Sequence, residues 1–150
     1  MNSNAERKIT DDPFLSFRFK VTIDGIGVAG FNEVTGLTFE TEIETFREGG
    51  FNACERQLLG PTKCPEKLVL KRGLSSNELW RWYRKVIAGQ GHRTKQLTIS
   101  LRDYSGEDVS DWQWVFNDVC PVKWTGPQFH AATAEVAFET IELIHKGLQP

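Results

Sequence analysis

The chain has 150 residues, of which 39% are hydrophobic and 25% are charged. This composition is typical of one globular domain and excludes the weakly hydrophobic, highly charged class of disordered chains. A formal charge of -2 gives no overall electrostatic reason to bind nucleic acid or an anionic membrane, and no apolar run approaches the roughly 20 residues that span a bilayer. We therefore expect a single domain over residues 13–150, made in the cytoplasm and preceded by a flexible polar tail over residues 1–12.

Alternation of apolar and polar side chains predicts the first strands. The first strand has apolar residues at alternate positions: Phe17, Phe19, Val21 and Ile23. It closes at Asp24-Gly25, which predicts a hairpin with residues 28–31 as its partner. A second long strand follows, and one of its faces carries Leu37, Phe39, Thr41, Ile43 and Thr45. The other face is a line of carboxylates from Glu40, Glu42 and Glu44.

Residues 47–65 have almost no periodicity and contain Gly49-Gly50 and Gly60-Pro61, which indicates a long exposed loop or a loose hairpin. Structureless loops of this length are uncommon in compact domains and are often functional, so we expect a contact element here. The segment also carries Cys54 and Cys64. Three cysteines, an odd count, favour free thiols in a reducing compartment, and a bridge between these two after release from a cell is left open.

A short strand over residues 67–71 precedes a change to helical periodicity. Ser75 and Glu78 have the spacing of a capping box, and Gly89 stands where a glycine typically ends a helix. The sequence therefore predicts a helix over residues 76–88. Its apolar face contains Leu79, Trp82, Tyr83, Val86 and Ile87.

The rest of the chain again alternates with a period of two. Residues 96–102 and 111–117 predict a hairpin whose return strand is broken at Cys120-Pro121, with residues 122–124 as a continuation after a bend. Residues 135–145 predict a last long strand, in which the apolar side shifts near Thr140 through a bulge or through burial on both faces. We expect six or seven mainly antiparallel strands with one helix packed on them.

Five tryptophans could suggest a stacking platform for bases or sugars. Trp82, Trp112 and Trp114 fall on the apolar faces of predicted elements, so we assign them to the core. Trp80 lies off the main helical face, and we expect it to contact a surface outside the domain.

The sequence lacks the motifs that catalysis, a cofactor or a metal would need. The three histidines, His92, His130 and His145, are scattered outside any metal-ligating motif. Nucleophile and phosphate-loop motifs are missing as well. The carboxylate line resembles acid and base groups for glycoside hydrolysis, but side chains two apart on one strand usually form a solvated face. We expect no enzyme activity and no cofactor.

Several segments occur in a fixed order that covers nearly all of residues 13–148: 17–25, 30–37, 46–50, 68–74, 79–82, 121–127 and 135–147. Together they resemble the phage tail tube protein family. The resemblance implies an Hcp-like fold, an antiparallel β-barrel or sandwich with one flanking helix. It also implies hexameric rings that stack into the hollow inner tube of a contractile phage tail or injection particle.

By the same resemblance, one loop would stack the rings, with these residues as contacts: Arg47, Glu48, Gly49, Gly50, Arg56 and Lys63. Polar faces lining the lumen or an interface would carry Arg18, Lys20, Glu40, Glu42 and Glu44. The implied partners are further copies of the chain, sheath protein, baseplate and spike proteins, and lumen cargo. Two roles stay open, a repeated tube subunit and an initiator ring that joins the tube to the baseplate. A carbohydrate-binding or hydrolytic β-domain is the remote alternative.

Overall fold

A computed structural model of the chain describes residues 18–26, 30–47, 49–50, 54–90 and 93–149. They contain these elements: β1 Phe19–Ile23, β2 Phe31–Thr35, β3 Glu40–Phe46, β4 Arg56–Lys63, β5 Leu68–Gly73, α1 Glu78–Ile87, β6 Lys95–Arg102, β7 Asp108–Thr125 and β8 Phe138–Ile144. The mainly β class with one helix is confirmed, and the described residues hold eight strands where six or seven were expected. The predicted tail, residues 1–12, lies outside the described residues.

Six strands form one antiparallel sheet in the order β1-β6-β7-β8-β5-β2, while β3 and β4 pair separately. The long strand β7 holds the larger sheet together, because it pairs with β6 as far as Val119 and with β8 from Cys120 onward. Asp118 takes a positive φ of 51° where the partner changes, and this bends the strand. The result is sandwich-like and is not a closed barrel. The predicted break at Cys120-Pro121 is wrong, since the strand continues through it with a register shift.

The predicted pairing at the start of the domain is also wrong. β1 pairs with β6, from Phe19 opposite Leu101 to Ile23 opposite Leu97. β2 instead pairs with β5, and residues 28–29 of the predicted partner strand lie outside the described residues. The local turn signal at Asp24-Gly25 is real, but the strand that pairs with β1 in the sheet lies about 75 residues further along the chain.

The core lies between the two halves of the sheet and the helix. It comprises thirteen buried side chains: Val21, Ile23, Ile26, Leu68, Leu70, Leu79, Trp82, Leu97, Ile99, Phe116, Val119, Ile141 and Leu143. These residues come from five strands, the helix and the turn after β1, so the core unites all parts of the larger sheet except β2. No residue of β3 or β4 belongs to it.

An ion pair is buried at the edge of this core. Arg72 of β5 and Glu139 of β8 are direct cross-strand partners with side chains that are 0% exposed, and Nε of Arg72 lies 2.5 Å from Oε1 of Glu139. The indole N–H of Trp124 donates to the other carboxylate oxygen at 3.1 Å. Nη2 of Arg72 donates to the Ser76 hydroxyl at 3.3 Å. The carboxylate of Glu139 thus links β5, β7 and β8, and Arg72 links them to the segment before the helix.

Glu139 also explains the apparent shift in the last strand. The buried residues of β8 are Glu139, Ile141 and Leu143, which alternate without interruption, and the pairing with β5 is continuous. Because the charged Glu139 occupies an inward position of β8, the apolar residues of the sequence seem to move from one face of the strand to the other. The predicted bulge near Thr140 is therefore wrong, and so is burial on both faces.

The helix is shorter than predicted at its N-terminus. It runs over Glu78–Ile87 with Asn77 as the N-cap, and no side chain caps it, so the predicted Ser75 capping box is wrong. At the C-terminus the N–H of Gly89 bonds to Val86 and that of Gln90 to Lys85, the pattern of a Schellman motif. Gly89 has the positive φ of 66° that this motif requires. No helix in the described part of the chain is long and apolar enough to cross a membrane.

Trp82 and Trp114 pack in or against the core as predicted, whereas Trp112 does not. Trp82 is buried, and its indole N–H donates to the carbonyl of Arg93 at 2.5 Å, which ties α1 to the entry of β6. Trp114 is half-buried against the core, but Trp112 is 48% exposed, so its assignment to the core is wrong. Trp80 packs within the domain, with its ring 4.7 Å from that of Trp124.

Candidate assembly interface

The hairpin formed by β3 and β4 is a two-stranded sheet of its own. Every residue of β3 is exposed, and so is every residue of β4 except the half-buried Gly60. The hairpin is fixed at its base by Phe39, whose ring stacks on that of the buried Phe116 with centroids 6.2 Å apart. The segment predicted as a loop or loose hairpin is thus a hairpin, standing away from the core.

A bulge at Gly60-Pro61 shapes the hairpin. Thr41 lies opposite Thr62 and Ile43 opposite Leu59, so β4 has one extra residue between these pairs. A Cβ on Gly60 would lie only 3.1 Å from Cβ of Glu42, so glycine allows the close approach. Proline is tolerated in such a strand because bulges and sheet edges leave backbone N–H groups unpaired. These residues, which suggested a loop, are compatible with a bulged strand.

The two faces of the hairpin differ in charge. Direct cross-strand partners share a face, and alternate residues along a strand lie on the same side. We call the uncharged side the neutral face; it carries Thr41, Ile43, Thr45, Gln57, Leu59 and Thr62. We call the other side the charged face; it carries Glu40, Glu42, Glu44, Phe46, Arg56, Leu58 and Lys63. The predicted alternation in β3 is confirmed.

Both faces expose large apolar side chains. On the neutral face Ile43 is 60% and Leu59 83% exposed; on the charged face Phe46 is 51% and Leu58 50% exposed. An isolated two-stranded hairpin is at best marginally stable in water, and clustered exposed apolar side chains usually mark an interaction site. The hairpin is therefore the part of the described structure best suited to bind another protein surface.

The predicted stacking residues divide between the two ends of the hairpin. Arg47 forms an ion pair with Glu55 at 3.4 Å and lies, with Arg56, near the tip. Gly49 and Gly50 form part of the exposed turn between the strands, and Glu48 lies outside the described residues. Lys63 is at the base, where it pairs with Glu42. The structure thus brings Arg47, Arg56 and the glycines into one region and separates Lys63 from them.

The predicted polar faces fall on two separate surfaces. Glu40, Glu42 and Glu44 lie on the hairpin, whereas Arg18 and Lys20 lie at β1, the edge of the larger sheet. Lys20 is 3.9 Å from Asp108, and the guanidinium of Arg18 lies 4.9 Å from the centre of the Tyr104 ring.

The turn beside Arg18 is held by one carboxylate. Asp103 accepts hydrogen bonds from the Ser105 hydroxyl at 2.6 Å, the Ser105 N–H at 2.9 Å and the Glu107 N–H at 3.0 Å. The Ser105 hydroxyl, followed by these backbone N–H groups, holds the pKa of Asp103 below its ordinary value. Arg18 donates to the backbone carbonyl of Asp103 at 3.3 Å, so the turn also positions the end of β1.

A bridge between Cys54 and Cys64 within one chain is incompatible with the hairpin. The two residues flank the eight residues of β4. An extended strand of that length spans roughly 26 Å, whereas the Cα atoms of a disulfide lie within about 7 Å of each other. Among the described residues, no three His, Cys, Asp or Glu side chains are grouped so that they could hold a metal ion.

A groove with a mixed polar and apolar lining lies at the segment between β7 and β8. It has a volume of about 460 Å³ and runs between this segment and the outer side of β5 and β8; we call it the loop groove. Its lining includes Phe129, which is 85% exposed, Val136, which is 70% exposed, and Phe138. The ammonium of Lys71 lies 4.9 Å from the centre of the Phe138 ring. Sequence analysis missed this surface because the segment has no regular periodicity.

Comparison with known proteins places this architecture among the tube proteins of contractile particles. Residues 15–149 match the model of the T4-like virus tail tube protein gp19 family, and the chain belongs to that family. No curated protein matches the chain. The resemblance to phage tail tube proteins that the sequence segments suggested is thereby confirmed.

Solved structures share the fold. A chain in the sheath-tube complex of PVC, an extracellular contractile injection system in the extended state, is 24% identical over 99% of this chain and 97% of that one, with a TM-score of 0.76. A chain in the cap of the anti-feeding prophage (AFP) is 23% identical over 99% and 97%, with a TM-score of 0.77. Hcp1 from Flavobacterium johnsoniae is 15% identical over 87% and 91%, with a TM-score of 0.52. The expected Hcp-like fold is confirmed.

Proposed function

We propose that this chain is the repeated structural subunit of the inner tube of a contractile phage-tail-like injection system. Copies close into hexameric rings, and the rings stack into a hollow conduit. Membership of the tail tube family supports the proposal, as does a fold shared over 99% of the chain with a chain of the PVC sheath-tube complex. The observation that carries it is the hairpin of β3 and β4, which exposes apolar side chains on both faces.

The hairpin supplies the contact between copies. Among the described residues it contributes nothing to the buried core, and its two strands pair with each other and with no other strand. Burying an apolar side chain of the size of Ile43 or Leu59 is worth about 1.5 to 3 kcal/mol, so a few such contacts repeated around a ring make a stable assembly. A structural element with this much exposed apolar surface is retained because a partner covers it.

The larger sheet supplies the wall of the conduit. In the described part of the chain its edges are the short strands β1 and β2, and we assign these edges to pairing with a neighbouring copy. The side of β1, β6 and β7 that faces away from the core is polar, with Lys20, Thr22 and Thr98 as members. We assign this side to the lumen, because the interior of a wide barrel is filled with water.

The partners follow from this role. Sheath protein surrounds the tube, baseplate and spike proteins close its leading end, and cargo occupies the lumen. The chain is made in the cytoplasm of the producing cell and then becomes part of the particle. The matched structures of PVC and AFP are assemblies of this kind.

The test is assembly with and without the hairpin. In one variant a short Gly-Ser linker replaces residues 50–62; in the control, Ile87→Ser removes an apolar side chain that is 65% exposed on the helix. Sedimentation velocity and negative-stain microscopy should show tubes from the wild type and the control. The hairpin variant should keep its circular dichroism spectrum and form no tubes. Tubes of normal length from that variant would refute the role of the hairpin, and rings that never polymerise from the wild type would indicate an initiator ring instead.

A further inference from the structure

Two arginines lie opposite each other at the edge of the larger sheet. The backbone N–H of Arg102 donates to the carbonyl of Arg18 at 2.9 Å, which continues the pairing of β1 with β6 and makes the two residues direct cross-strand neighbours. Like charges in this arrangement destabilise an antiparallel pair of strands. An anion bound by both guanidinium groups would remove that repulsion.

Asp108 is a weak counter-ion for this pair of arginines. Its carboxylate lies 3.7 Å from Nε of Arg102 and 3.9 Å from Nζ of Lys20. Both distances exceed the roughly 2.7 to 2.9 Å of a charge-assisted hydrogen bond. Nε of Arg102 is buried and has no hydrogen-bond partner among the described residues, although the side chain as a whole is 38% exposed. The charge of Arg102 is therefore poorly matched within the chain and accessible from solvent.

An open groove of about 370 Å³ runs along the arginine pair. We call it the arginine groove; it is lined by Arg18, Phe19, Arg102 and residues 103–106. Tyr104 is 76% exposed, and the guanidinium of Arg18 lies 4.9 Å from the centre of its ring. Nη1 of Arg18 also donates to the carbonyl of Asp103 at 3.3 Å. The ring and the carbonyl hold this guanidinium in place, so less side-chain entropy is lost when an anion binds.

We propose that the arginine groove binds a carboxylate group, and that acidic side chains of a polypeptide cargo are its ligands. Alternation along β1 and β6 puts Arg18, Lys20 and Arg102 on the same side of the sheet. The inference rests on the proposed function, because that side is the one assigned to the lumen. Guanidinium groups bind a carboxylate through two parallel N–H···O bonds, and the ammonium of Lys20 adds a third positive charge.

The neighbouring acidic residues determine which anion fits. Asp103 lines the groove, Asp108 lies beside Arg102, and Glu107 closes the turn that Asp103 begins. A nucleic-acid strand carries a negative charge at every phosphate and would bring several of them close to these carboxylates. A polypeptide can present one carboxylate flanked by uncharged residues. The arrangement of charges therefore favours an acidic polypeptide over a nucleic acid.

A single site of this kind is weak, but a tube repeats it. Ion pairs between partly exposed groups contribute little each. Copies of the chain around and along a conduit present an array of such sites to one cargo molecule, which raises the effective concentration of each further contact. Cargo held by many weak sites stays in the conduit, and each contact still exchanges quickly enough for the cargo to move.

Peptide binding tests the site directly. The probe is a rhodamine-labelled peptide of alternating Glu and Gly residues, and the control peptide has Gln in place of Glu. Fluorescence anisotropy at low ionic strength measures binding to assembled and unassembled protein. Arg18→Gln with Arg102→Gln should weaken binding of the Glu peptide about fivefold or more. The matched control, Arg81→Gln with Arg84→Gln, removes two exposed charges from α1 and should change the affinity less than about twofold.

Asp108→Asn gives a prediction of opposite sign. It removes the carboxylate that competes for Arg102 and Lys20 and preserves the size of the side chain, so the Glu peptide should bind more tightly. Asp118→Asn removes a charge that pairs with Lys146 elsewhere on β7 and should leave the affinity unchanged. Melting curves check that each variant is folded. A gain in D108N would not result from loss of structure, so this variant tests the site even where R18Q with R102Q is destabilised.

The outcomes separate this inference from the proposed function. Equal binding of the Glu peptide by the wild type and by folded R18Q with R102Q would overturn the proposal, as would equal affinity for the Glu and Gln peptides. Tighter binding of single-stranded oligothymidylate than of the Glu peptide would assign the groove to nucleic acid and overturn it as well. Each of these results leaves the tube role intact, because negative-stain microscopy scores tube formation independently. A wild type that binds the Glu peptide but forms neither rings nor tubes would contradict the proposed function and the cargo role, while the carboxylate site stands.

Discussion

The buried ion pair between Arg72 and Glu139 permits a quantitative test of the fold. Glu139→Leu removes a charge-assisted hydrogen bond of 2.5 Å and leaves the guanidinium of Arg72, which is 0% exposed, without its counter-ion. It also leaves the indole N–H of Trp124 without its acceptor. Nη1 of Arg72 is already buried without a partner among the described residues, so the uncharged Ser76 hydroxyl at Nη2 is the acceptor that would remain for this charge.

Breaking one member of a buried ion pair typically costs about 3 to 5 kcal/mol. A domain of this size is stabilised by about 5 to 15 kcal/mol in total, so Glu139→Leu should remove a large share of the free energy of unfolding. The double variant R72M with E139L should be much more stable than E139L alone, because no unpaired charge remains. The matched control is Lys123→Gln, which breaks an exposed pair between β7 and β8 and should cost at most about 1 kcal/mol.

The differences in the free energy of unfolding are measured by urea titration of dilute protein, with tryptophan fluorescence as the signal. They are calculated from the midpoint and slope of the unfolding transition. The reasoning is refuted if E139L costs no more than K123Q. It is also refuted if R72M with E139L is less stable than E139L alone.

Two further perturbations follow from particular residues. Burial lowers the pKa of His145 below its ordinary 6.5, so below about pH 6.5 the unfolded chain takes up a proton that the folded chain resists, and stability should fall with acidification. His145→Phe, which preserves ring packing against Phe116, should flatten the dependence of the urea midpoint on pH between about 5 and 7; an unchanged slope would contradict this. Gly36 has a φ of +88°, and a Cβ there would lie 1.9 Å from the carbonyl oxygen of Lys67, whereas Gly106 has a φ of +84° in open space. Gly36→Ala should therefore lower the free energy of unfolding by at least about 2 kcal/mol more than Gly106→Ala, and equal effects would show that the backbone yields to the clash.

The sequence predicts the elements of this fold better than their pairing. Period-two alternation identifies β1, β3 and β6, and helical periodicity identifies α1. The sequence around β1 does not identify its partner strand, because β6 is about 75 residues away. The nearer hydrophobic segment, residues 28–31, looks equally suitable as a partner. The helix begins after Asn77 and not at the predicted Ser75 cap, and Ser76 accepts a hydrogen bond from Arg72 of β5.

Two other differences between the predicted and the observed strands have local causes: a charged residue at an inward position and a β-bulge. Glu139 interrupts the apolar pattern of β8 because it is a charged residue at an inward position. The structure tolerates it there because Arg72, which is remote in sequence, neutralises its charge. Gly60-Pro61 reads as a loop because a bulge uses the same residues as a turn. The sequence predicts a contact element at residues 47–65, and that role stays a prediction. The two differently charged faces of the hairpin depend on the register between β3 and β4, which the structure provides.

The central claim is that this chain builds a tube through its hairpin. Cryo-electron microscopy of the purified full-length protein at high concentration tests it most directly. We expect hollow tubes of stacked hexameric rings, with the β3–β4 hairpin of each copy covered by a neighbouring copy. A protein that stays strictly monomeric at high concentration, or tubes in which the hairpin projects uncovered into solvent, would contradict it.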